Sequence, residues 1–150
     1  MTIYNINQLV KQNGSAEKHG SDTNNCAVNT LAITHNVSYD DAYEFARKQW
    51  DRKHAKGVKT GSIVKSFQMT TPFGKLATRV PVTQEYKQPG GWMRKRRMTI
   101  DTFIKNNPQG VYYVLVRGHA LAVTEGILVD NSNRLKRRVI DAWKISNPKP

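Results

Sequence analysis

Residues 111–131, VYYVLVRGHALAVTEGILVDN, constrain the fold more than any other stretch of the chain. They read as strand, strand, turn, strand. Glu125-Gly126 is the expected tight turn between LAV and ILV. Connections this short leave no room for a crossover helix, so the strands must pair antiparallel. A further strand candidate, RRVIDAWKI, closes the chain.

The first half reads differently. Residues 13–24, NGSAEKHGSDTN, are loop, and a helix is expected to open at Asn24 or Asn25, since Asn accepts an orphan backbone N–H. Ala27, Val28, Leu31 and Ala32 fall at helical spacing, and His35-Asn36 suits a left-handed end. A second helix starts at Ser38, with Asp40 and Asp41 complementing its dipole and Tyr39, Ala42, Tyr43, Ala46 and Trp50 facing inward. Residues 52–61 are a basic loop. Residues 62–69 are a short helix burying Ile63, Val64 and Phe67. Short strands are expected around Leu76–Val82, then a Gly/Pro turn in KQPGGWMRKRR beside a basic cluster. Thr99 caps a last helix that buries Ile100, Phe103 and Ile104. Helices followed by an antiparallel sheet make an α+β fold, and 150 residues suit one domain.

Cys26, the only cysteine, sits at the first helix start in NNCAVNTLAI. A single cysteine forms no internal disulfide, which points to a reducing compartment. There a helix dipole and free N–H groups favour a thiolate, the nucleophilic form. His119 opens a strand of small and apolar residues and is the candidate base. Asp130, with Asn131 as runner-up, lies across the expected LAV/ILV pairing and is the group to orient the imidazole. His19 lies in the loop before Cys26, and His35 and His54 read as loop or helix-end residues.

The order Cys, His, Asp, with these placements, resembles the papain-like cysteine peptidases. NNCAVNTLAITHNVSYDDAYE, YYVLVRGHALAVTEGILVDNS and RRVIDAWKI are similar to small, mostly bacteriophage-encoded papain-like proteins, over roughly residues 22–50 and 98–145. The resemblance implies a papain-like fold, N-terminal helices packed on a C-terminal antiparallel sheet, with 52–97 as a poorly matched basic region. It places Cys26 as nucleophile, His119 as base and Asp130 as orienting carboxylate. The upstream oxyanion Gln of that pattern is absent here, leaving Asn24 or Asn25 for the role. Asn29 stands where that group usually has Arg, and the Trp often found beside the orienting residue is missing. The implied activity is thiol-dependent hydrolysis of a peptide or isopeptide bond in a protein or peptide substrate, or acyl transfer by the same triad.

Charge suggests a second function. Lys and Arg number 24 against 11 Asp and Glu, a net +13, which draws the chain to polyanions. Two basic runs, Arg94, Lys95, Arg96, Arg97 and Arg134, Lys136, Arg137, Arg138, together with Trp92, are candidates to bind nucleic acid or an acidic protein. The alternative reading is therefore a basic binding protein on a catalytically weak or inactive papain-like scaffold. No cofactor or metal site is expected, because the histidines lack zinc-ligand spacing. The N-terminus has no signal-peptide pattern, and no apolar run approaches a membrane span. A cytoplasmic protein is expected, in a host cell or a virion if a phage encodes it.

Overall fold

The structure, a computed structural model, describes residues 3–4, 24–130 and 133–148. In chain order the elements are β1 (Ile3–Tyr4), α1 (Cys26–His35), α2 (Tyr39–Gln49), α3 (Thr60–Met69), a 3₁₀ turn (Pro72–Gly74), β2 (Leu76–Arg79), β3 (Thr83–Lys87), β4 (Met93–Arg97), α4 (Ile100–Asn106), β5 (Val111–Val116), β6 (His119–Thr124), β7 (Ile127–Val129) and β8 (Val139–Ser146). The fold is α+β. Six strands form one sheet in the order β1-β7-β6-β5-β8-β2. Every pair is antiparallel except the two-residue β1 beside β7. No helix among the described residues is long and apolar enough to cross a membrane.

The unbroken apolar run of β5 has a structural cause: both faces of the sheet are covered. Strand side chains alternate between faces. Tyr113, Leu115, Ala120, Trp143 and Ile145 pack with α1, α2 and α3. Tyr112, Val114, Val116, Leu121 and Val123 pack with α4 instead. Phe67 of α3 centres the first layer, its ring 5.0 Å from both Tyr113 and Trp143.

Helix α1 is buried on nearly all sides, from Ala27 through His35 apart from Ile33. It therefore carries little amphipathic contrast. Its two buried threonines bond back along the helix, Thr30 Oγ1 to the Cys26 carbonyl at 2.7 Å and Thr34 Oγ1 to the Thr30 carbonyl at 2.8 Å. Asn36 ends it in the left-handed conformation, its N–H bonded to Ala32 and Ile33 carbonyls. Ser38 and Thr99 cap α2 and α4 by accepting from Asp41 N and Thr102 N.

Residues 52–97 are largely part of the frame. Helix α3 fills the core with Ile63 and Phe67, and β2 is an edge strand of the main sheet, paired to β8. Asp141 of β8 holds Arg79 of β2 by two hydrogen bonds. The basic cluster beside the Gly/Pro turn is strand: β3 and β4 form a separate two-stranded ribbon, Thr83↔Arg97 to Lys87↔Met93, closed at its tip by Gln88–Trp92.

Candidate functional site

The β5–β6 and β6–β7 turns build one side of the site. Gly118 (φ +70) turns β5 into β6 so that His119 is the first residue of the strand, opposite Val116. Glu125 and Gly126, at φ +49 and +77, make the next two-residue hairpin. Ala122↔Val129 and Thr124↔Ile127 then set the β6–β7 register. Continued past Val129, that register places Asp130 beside Leu121, diagonally across from His119. The carboxylate closes the diagonal: His119 Nε2 lies 2.8 Å from Asp130 Oδ1.

Helix α1 builds the other side. The Tyr113 hydroxyl, fully buried in β5, donates to the Ala27 carbonyl at 3.0 Å and fixes the helix start against the sheet. Asn25 holds the N-cap position, but its side chain does not cap. Its Nδ2 donates to Tyr39 Oη at 3.0 Å and its Oδ1 accepts from Asn29 Nδ2 at 3.1 Å. The expected capping role is thus replaced by a side-chain network, because Tyr39 and Asn29 engage both ends of the amide. Asn24 (φ +48) donates to the Ala55 carbonyl at 3.0 Å. No side chain caps the first turn of α1, where Cys26 stands.

Cys26 is half-buried and hydrogen-bonded to His119. With Nε2 engaged by Asp130, Nδ1 is the ring nitrogen that faces the sulfur. Burial pushes the thiol pKa up. The His119 hydrogen bond, a backbone bond from Ala120, the imidazolium charge and a backbone bond from Ala27 outweigh it, and the net shift is down. Burial pulls the His119 pKa down, but Asp130 and Cys26 raise it to about 9. The two shifts run in opposite directions, which favours a thiolate–imidazolium pair, and the two groups titrate as a unit. Burial raises the Tyr113 hydroxyl pKa well above its ordinary value, and a charge on the Cys26 sulfur would add to that rise.

Cys26, His119 and Asp130 line one open cleft of about 420 Å³, together with Asn24, Asn25, Asn29, Gly57, Gly118, Ala120 and Arg134. Arg134 and Asn29 have roles here that the sequence did not assign them. Arg134, expected in a polyanion-binding run, donates from Nη1 to Asp130 Oδ2 at 2.7 Å. Asn29, one turn beyond Asn25, braces the cleft wall. Asn131 lies outside the described residues, as does His19. Among the described residues no cluster of three His, Cys, Asp or Glu side chains is arranged to hold a metal ion.

No family model, curated protein or solved structure matches the chain.

The other expected residues lie elsewhere. Arg94, Lys95, Arg96 and Arg97 form the exposed strand β4. Lys136 pairs with Asp101 at 3.8 Å. Arg137 donates to the Arg117 carbonyl and Arg138 to the Arg97 carbonyl, each at 2.8 Å. His35 is buried in the core, its ring stacked on Phe67. His54 Nδ1 meets the Tyr43 hydroxyl at 3.0 Å.

Proposed function

We propose that this protein is a papain-like thiol hydrolase that acts on a peptide or isopeptide bond. The observation that carries the reading is the continuous Cys26–His119–Asp130 chain opening into a cleft. Nucleophile, base and orienter stand in hydrogen-bonding order, as covalent acyl chemistry requires.

The Cys26 thiolate attacks the carbonyl carbon. A C–S bond forms, and the carbonyl pair moves onto oxygen. The Cys26 backbone N–H is the first donor to that oxyanion, at the uncapped end of α1. Asn24 and Asn25 each spend one amide N–H on the frame, which leaves one each for the same role. As the C–N bond breaks, His119 gives its Nδ1 proton to the leaving amine. His119 then takes a proton from water, which attacks the thioester and releases a carboxylic acid. Thiolate and imidazolium are restored. An amine in place of water makes the same cycle an acyl transfer. Asp130, bound by Arg134 on its other oxygen, keeps the imidazole oriented and charged.

A peptide aldehyde or activated-ester library, read by intact mass, tests this. The expected result is a covalent acyl or hemithioacetal adduct on Cys26, lost in Cys26→Ala and reduced at least tenfold in rate in His119→Ala. Failure of every such electrophile to label folded wild-type protein overturns the reading.

A further inference from the structure

The β3–β4 ribbon is unlike the rest of the molecule. It pairs only with itself, and every residue of β4 is exposed, so cations stand on both of its faces. Arg94 and Arg96 share the face of Tyr86, where the Arg96 guanidinium lies 5.6 Å above the ring. Lys95 and Arg97 occupy the opposite face. Among the described residues no carboxylate lies within ion-pair distance of these four cations. At the ribbon tip Trp92 is 61% exposed and Met93 52%.

The second basic run joins the first in space. Thr99 bridges Arg138, and the Arg138 guanidinium donates to the Arg97 carbonyl at the ribbon root. Arg138, some forty residues on in sequence, thus extends the ribbon cations into one strip, while Arg134 and Lys136 of its own run are held by Asp130 and Asp101. Glu85 stands across the ribbon from Lys95, but the three arginines face Tyr86, Gln84 and Thr83, so folding concentrates positive potential on them.

We propose that the β3–β4 ribbon, continued through Arg138, is a docking surface for double-stranded DNA. Three of the four cations of the ribbon run are arginines, whose planar forks match phosphate oxygens and guanine edges. A two-stranded ribbon fits the width of a major groove, which surrounds it with phosphates on both sides. Cations on both faces then find a counter-charge. A single strand or an acidic protein surface laid along one face leaves the other face unanswered. The inference rests on the ribbon and is independent of Cys26 chemistry.

Fluorescence anisotropy with a labelled duplex of about twenty base pairs tests it, against the matching single strand and with polyglutamate as competitor. Neutralising roughly four phosphates gives a log–log salt slope near −3.6, so affinity falls by about two orders of magnitude between 50 and 200 mM salt. The combined substitution Arg94→Gln, Lys95→Gln, Arg96→Gln and Arg97→Gln is expected to weaken duplex binding by at least tenfold and to flatten that slope, with melting temperature and Cys26 alkylation unchanged. Equal or tighter binding of the single strand overturns the proposal, as does displacement by polyglutamate at matched charge. A wild-type slope shallower than −2 overturns it without any variant.

Discussion

Asp130 is the most constrained residue of the site. It is 2% exposed, and its two oxygens face two cations, His119 at 2.8 Å and Arg134 at 2.7 Å. A buried carboxylate is costly unless it is paired and hydrogen-bonded, and here it is both. Asp130→Asn keeps the shape and removes the charge. The expected result is a His119 pKa well below its present value of about 9, followed by imidazole NMR, and a slower Cys26 reaction near pH 7. Stability carries the same signature. His119 binds its proton more tightly folded than unfolded, about 9 against an ordinary 6.5, so its contribution is full below pH 6.5 and fades as pH rises through 9. His119→Gln should therefore lower the melting temperature more at pH 6 than at pH 10. An equal loss at both contradicts the raised value.

Register is what carries these contacts, and register is set by turns. Gly126, at φ +77, has the Pro108 carbonyl oxygen 3.2 Å from where a Cβ would stand. Gly126→Ala is expected to cost about 1–2 kcal/mol and to lower the melting temperature by roughly 2–8 °C, with slowed Cys26 chemistry because Asp130 follows the same hairpin. Much at this scale was readable in the sequence. The Glu125-Gly126 turn, the Ser38 and Thr99 caps, and the meeting of His119 with Asp130 all follow from local chemistry or from the alternation of strands. Other features were not. MRKRR has no apolar periodicity, so nothing in it signals a strand, and only pairing to Thr83–Lys87 makes it one. Arg134 displays its charge in the sequence but not its partner. The role of Asn25 depends on Tyr39, a residue of the next helix, and a local capping rule cannot see it.

Across the whole molecule, one aromatic cluster couples the helices to the sheet beneath the site. Phe67 meets Tyr113 and Trp143 at 5.0 Å and stacks on His35 at 5.8 Å. Tyr113 in turn holds the start of α1. Phe67→Ala is expected to cost about 3–5 kcal/mol, read by chemical denaturation, because the aromatics around it cannot collapse into the gap. Acid should loosen the same layer. Burial holds the His35 pKa down at about 4, so the unfolded chain takes up that proton first and stability falls as pH drops from 6.5 toward 4. Substituting His35→Phe is expected to flatten that arm. The central claim remains the charge-paired thiol at the mouth of α1, and the rate of Cys26 alkylation by iodoacetamide against pH tests it most directly. By intact mass, wild type is expected to react fast well below the free-thiol pKa of about 8.5. In His119→Ala the apparent pKa should rise above that value, since burial is then opposed by the backbone donors alone. A wild-type profile centred near 8.5 and unchanged by His119→Ala contradicts the account.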